Sequence, residues 1–189
     1  MKQLIPLALA LAAGTTAAAP ASYTIDPTHT YPSFEADHMG ISTWRGKMKK
    51  SSGKLVYDKA TGTGTVEITT ELASIDFGQD QLNAWARGKD FFDVTKFPRA
   101  VYKGRLETPV DGVPTQVVGE FTLHGVTRPM SLKIHRLKCV PHPMLKRDYC
   151  GADATGTFDR EAFGLAAGKE WGFKMEVDLR IQAEAIADK

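Results

Sequence analysis

The sequence predicts an all-β domain, an up-and-down barrel or a sandwich of about eight antiparallel strands. Three observations predict it: alternating apolar and polar runs recur along most of the chain, turn-forming residues separate them at short intervals, and the helices that parallel crossovers need are missing from the pattern.

The N-terminal segment comes first. Lys2 gives a positive start, residues 4–13 form a short apolar run, and residues 15–21 are almost entirely small. This is the pattern of a cleaved secretory signal. An apolar run this short falls below the roughly 20 residues that cross a bilayer, so no integral membrane span is expected. Ala19-Pro20-Ala21 fits a small-x-small cleavage rule and places the cut after Ala21, with a cut after Ala18 or an uncleaved anchor as the alternatives. No cysteine lies near the cut, which argues against a lipoprotein. The domain is then residues 22–189, and loss of Lys2 turns 24 basic and 22 acidic residues into 23 and 22. A nearly neutral chain with scattered Lys and Arg lacks the basic face that nucleic acid requires. Its length suits one domain with one core.

The strands follow. Phe34, Ala36 and His38 alternate with Glu35 and Asp37; Val66 and Ile68 with Glu67 and Thr69; Val117, Gly119, Phe121 and Leu123 with Val118, Glu120 and Thr122. The cleanest run is Phe173, Met175, Val177, Leu179 and Ile181, whose intervening residues Lys174, Glu176, Asp178, Arg180 and Gln182 are polar. Such a run is an antiparallel strand with one wet face. Residues 58–62, 111–114 and 124–129 carry the turn chemistry between strands.

One segment breaks this rhythm. In residues 79–88, Leu82, Trp85 and Ala86 recur at helical spacing, Asp80 can cap the start and Gly88 the end, which predicts a short amphipathic helix. It leads into Asp90-Phe91-Phe92-Asp93-Val94-Thr95-Lys96-Phe97-Pro98, where neither helical nor strand periodicity fits. A turn-rich plug pressed on an apolar surface does, and helix and plug are expected to cover the same opening in the sheet.

Cys139 and Cys150 flank a proline-containing loop between two strand-like segments. In an exported chain the pair reads as a disulfide, and the spacing is far from the C-x-x-C of redox or metal sites. The five histidines, His29, His38, His124, His135 and His142, are widely separated, with no tight zinc spacing. No nucleophile elbow or phosphate-binding glycine loop occurs. His38 falls on the face of Phe34 and Ala36, either as a hydrogen-bonded structural residue or as a polar contact for a bound head group. Phe34, Met39, Trp44, Trp85, Phe91, Phe92, Phe97, Phe121, Phe173 and Met175 are a large apolar supply for a small barrel. A barrel of about eight strands either fills with such side chains or holds one small ligand, and Gly119 and Ala36 on inward faces would leave room.

Six blocks occur in the order seen in one family: Asp26-Pro27-Thr28-His29-Thr30, residues 34–42, Ser74-Ile75-Asp76, residues 90–98, residues 119–127, and Phe158-Asp159-Arg160-Glu161-Ala162-Phe163-Gly164-Leu165. From about Tyr23 to Ala185 the chain resembles the YceI-like family. The resemblance implies a periplasmic, lipocalin-like barrel whose apolar tunnel binds a long-chain isoprenoid lipid, a polyisoprenoid or isoprenoid quinone, with no other cofactor and no catalytic residues. It leaves a homodimer open. The blocks at residues 34–38 and 90–97 would line or close the tunnel. The chain departs from the family where Trp85 and Ala86 replace a His-Leu pair ahead of the phenylalanines, which makes head-group preference the least transferable property. Two other readings stay open: an exported stress-related protein whose tunnel is filled by its own side chains, and an envelope enzyme using His38 with Asp37 or Asp93.

Overall fold

The computed structural model describes residues 19–189, so most of the signal segment lies outside the described residues. Eleven strands and one α-helix follow in order: β1 (Ala21–Ile25), β2 (Tyr31–His38), β3 (Ser42–Met48), β4 (Ser51–Asp58), β5 (Thr63–Glu71), β6 (Ile75–Asp76), α1 (Asp80–Arg87), β7 (Arg99–Val110), β8 (Val113–Leu123), β9 (Val126–Pro141), β10 (Asp148–Asp159) and β11 (Glu176–Ala187). β4, β5, β7, β8, β9, β10 and β11 are joined in sequence order by antiparallel pairing, and β1 closes the ring between β11 and β4. The result is an eight-stranded up-and-down antiparallel barrel, which decides between the barrel and the sandwich that alternation and turns allowed and agrees with what the family resemblance implies.

On the edge away from β10, β11 serves two neighbours. Its C-terminal half pairs with β1 (Ile25 opposite Ala185) and its N-terminal half with β2 (Leu179 opposite Phe34), so the β2–β3 hairpin prolongs the wall beyond β1. The break between β1 and β2 is pinned from outside. Tyr149 Oη, with one proton to donate, lies 2.8 Å from Asp26 Oδ2 and 2.6 Å from Glu184 Oε2, and His29 Nδ1 lies 2.9 Å from Asp26 Oδ2. Burial works to raise the Asp26 carboxyl, but hydrogen bonds from Thr28, His29 and Tyr149 outweigh it and hold it below the usual carboxylate range.

One irregularity sets which residues face inward on β9. The pairing with β10 slips so that Asp153 opposes Arg136 while Ala154 opposes Ile134, leaving His135 as an extra residue. Met130, Leu132 and Ile134 point inward before this bulge, and Leu137 does so after it. The change of parity brings Cys139 opposite Cys150, and the two form a disulfide with S–S 2.01 Å.

The helix agrees with its sequence pattern except at its cap. Gln79, not Asp80, is the N-cap, with Oε1 accepting from Leu82 N at 2.5 Å, while Asp80 occupies the first turn and Gly88 ends the helix. The buried face centres on Ala86 and Asn83, whose Oδ1 accepts from Phe77 N at 2.7 Å. The last strand also begins later than its alternation suggests. β11 starts at Glu176: residues 173–175 lie outside the strand, although Arg160 N still donates to Met175 O at 2.9 Å, one rung beyond the last β10–β11 pair.

Candidate functional site

The barrel is not filled by its own side chains. An apolar cavity of about 270 Å³ runs through it, roughly twenty times the ~10–15 Å³ that one water needs. Packed cores leave few voids larger than a water. One wall is made of small residues, Ala152 and Ala154 on β10 and Ala183 and Ala185 on β11, facing larger Leu55, Val66, Ile68 and Leu106. The open space shows in the burial pattern. Every residue of β2 is half-buried, because inward positions there look onto the cavity rather than onto packed atoms.

The wall is mostly apolar, with Asp37, Arg160 and Glu184 the charged residues among its lining. Tyr102 lines the cavity, yet its hydroxyl sits between two backbone acceptors, Val117 O at 3.2 Å and Met130 O at 3.1 Å, and burial pushes the phenol up to about 12. Each fully buried side-chain nitrogen or oxygen among the described residues has at least one hydrogen-bond partner.

One end of the barrel carries an aromatic collar. Phe34, Trp44, Phe77 and Phe173 pack edge to face, with centroids at 5.3 Å for Phe34 and Phe77, 6.2 Å for Trp44 and Phe77, and 5.8 Å for Trp44 and Phe173. Trp85 of α1 stacks on Phe91 at 4.9 Å, and Phe91 meets Phe92 at 4.7 Å. The segment after α1 folds as a run of turns, with Phe92 N bonded to Ala86 O and Asp93 N to Gly88 O. Those turns seat Phe92 in a cluster with Met48, Leu72, Ile75, Ala86 and Leu123, leaving Phe91 against the cavity.

The candidate residues divide accordingly. Phe34, Ala36, Trp44, Trp85, Phe91, Phe92, Phe121 and Phe173 line the cavity. His38, Met39, Phe97 and Met175 do not. His38 stacks on Trp44 at 4.2 Å and meets Phe173 edge to face at 4.9 Å, which makes it a buttress behind the collar. Asp37 turns its carboxylate to Gly40 N at 3.0 Å rather than to His38. Met39 sits in the β2–β3 turn in the left-handed region (φ 56°), 48 % exposed. Phe97 packs on the ring of His124 at 4.2 Å, over Gly125. Met175 belongs to the bend before β11. Gly119 makes no room either: a Cβ there would lie 2.1 Å from Lys103 O, so this glycine permits close approach of β7 and β8.

Two groups of lining residues went unread in the sequence. The small residues of β10 and β11 follow inward parity and were legible in principle. Arg160, only 7 % exposed and lining the cavity, carries no periodic signal at all.

Of solved structures, BcnA of Burkholderia cenocepacia superposes with a TM-score of 0.68 at 21 % identity, covering 85 % of this chain and 98 % of that one. A polyisoprenoid binding domain from Saccharophagus degradans, implicated in plant cell wall breakdown, superposes with a TM-score of 0.63 at 18 % identity, covering 89 % and 99 %. At these identities the likeness speaks for the fold. In sequence, the chain is 31 % identical to a UPF0312 protein of Shewanella sp. (strain W3-18-1) over 79 % of each chain, and 26 % identical to Protein YceI of Shigella flexneri over 96 % of this chain and 94 % of that one. The YceI-like domain profile matches residues 23–185.

Proposed function

The chain belongs to the YceI-like family, and from that premise we propose that it binds, stores or carries polyisoprenoid or isoprenoid-quinone-type lipids in its barrel, as an exported periplasmic protein and without turnover. The observation that carries the reading is the apolar cavity with its alanine wall. Each methylene buried there contributes about 0.8 kcal/mol, so a long tail binds with few polar contacts and selection is for length and shape first. The name of the Saccharophagus degradans domain lends support for the ligand class. Residues 1–21 support export, and among the described residues no helix is long and apolar enough to cross a membrane.

The test is extraction of the purified protein with organic solvent followed by mass spectrometry. A stoichiometric long-chain lipid is expected in native or reconstituted samples, and its absence from both would sink the reading. The cover is tested by occupancy: Trp85→Ala and Phe92→Ala loosen retention more than His38→Ala, and equal occupancy in all three variants counts against it.

A further inference from the structure

We propose that Arg160 is the head-group site of the tunnel, and that the ligand carries an anionic oxyacid head, phosphate or carboxylate, on its apolar chain. This rests on the tunnel-binding reading and narrows its ligand class. Arg160 opens the short 3-10 turn Arg160–Phe163 after β10. It is buried yet lines the cavity, with its Cζ 5.8 Å from the ring centroid of Phe91, beneath the Trp85–Phe91 stack.

The guanidinium is fixed in place but not neutralised. Nη1 donates to Leu165 O at 2.5 Å and Nη2 to Ala167 O at 2.8 Å, which holds the fork while leaving other N–H groups without an acceptor among the described residues. Carbonyl dipoles orient a cation without cancelling its charge. The acids whose charge reaches Arg160 are Asp159 and Glu161, and both are engaged elsewhere. Asp159 Oδ1 accepts from Glu161 N at 2.8 Å, and Glu161 Oε1 accepts from Lys169 Nζ at 2.6 Å. A buried charge without an ion-pair partner is costly, and an anion delivered on the end of a tail removes that cost. The planar fork matches a phosphate or carboxylate with two parallel hydrogen bonds. A quinone or alcohol head offers only neutral oxygens, which bond more weakly.

The test uses three tail-matched ligands, geranylgeraniol, geranylgeranyl monophosphate and geranylgeranoic acid, titrated against the full-length mature protein by Trp fluorescence. At least one anionic head is expected to bind about ten- to hundredfold tighter than the alcohol. The phosphate and acid arms decide which head is preferred. In Arg160→Met the advantage disappears while geranylgeraniol still binds, and Arg160→Lys recovers part of it. Equal affinity of all three ligands for the wild type overturns the inference and leaves the tunnel reading standing, as does an advantage that survives in Arg160→Met. Failure of all three to bind overturns the tunnel reading itself. If Arg160→Met does not fold, the wild-type comparison and Arg160→Lys decide: an alcohol as tight as the anions refutes the inference.

Discussion

Ala154→Phe tests whether a lipid tail occupies the middle of the barrel. Ala154 lines the cavity from β10, opposite Ile134 on β9 and Ile181 on β11. A phenyl ring there adds about six carbons where tail carbons would otherwise lie, which at ~0.8 kcal/mol per methylene removes about 5 kcal/mol of burial from a tail that cannot reroute. Partial relaxation of the wall halves this, and at ~1.4 kcal/mol per decade the loss is about a hundredfold in affinity. The same ring fills open apolar space and so stabilises the lipid-free protein by roughly 1–2 kcal/mol. Binding and stability thus move in opposite directions, which separates this effect from simple misfolding. The assay is a ladder of prenyl alcohols of increasing length, titrated against wild type and variant, with urea unfolding of the lipid-free forms. Long tails should weaken while the shortest are nearly unaffected. A folded variant with the wild-type affinity and length preference would refute a mid-barrel tail.

Three further outcomes are expected. Trp85→Ala removes the outer half of the Trp85–Phe91 stack and should speed lipid release by about tenfold in stopped-flow exchange, with little change in unfolding midpoint because Trp85 is 42 % exposed. Replacing both Cys139 and Cys150 with serine should lower stability by about 2–3 kcal/mol in urea unfolding, since the bridge closes a loop with a sequence separation of 11. Stability against pH should fall on the acid side: Asp26 has a depressed folded pKa, so its contribution is present above the ordinary carboxylate value of about 4 and is lost as the pH drops below it. Asp26→Asn should flatten that acid limb in pH-dependent urea unfolding; an unchanged limb would show that the network at the β1–β2 break does not contribute.

The barrel was legible because most strands have one wet face. Val177, Leu179 and Ile181 alternate with charged residues, and the expected turns at 58–62 and 111–114 tighten to residues 59–62 and 111–112, since Asp58, Val113 and Pro114 are paired within strands. Periodicity says nothing, however, about where a turn sends a ring. Phe97 and Phe91 look alike in sequence, yet one packs on His124 and the other faces the cavity. Met175 continues a perfect alternation and still lies outside the strand and off the cavity wall, although Arg160 N, on the next rung of the β10–β11 register, donates to its carbonyl. The helix cap moved by one residue because the Gln79 side chain reached Leu82 N first. Arg160 was invisible for a deeper reason: charge predicts exposure, and only three-dimensional packing reveals a guanidinium held by carbonyls inside an apolar barrel.

The ring is closed by its first and last strands, with Tyr23 opposite Ala187 and Asp188 N bonded to Ser22 O. Almost the whole chain separates these partners in sequence. Forming such a contact carries a large loop-closure cost, and folding dominated by such pairings is slow. A nascent chain can therefore assemble its hairpins one by one, but the wall stays open along one seam until the C-terminal strand is free to pair. Until then the alanine-lined interior is not enclosed on that side. The seam between β1 and β11 is therefore the last part of the wall that can close.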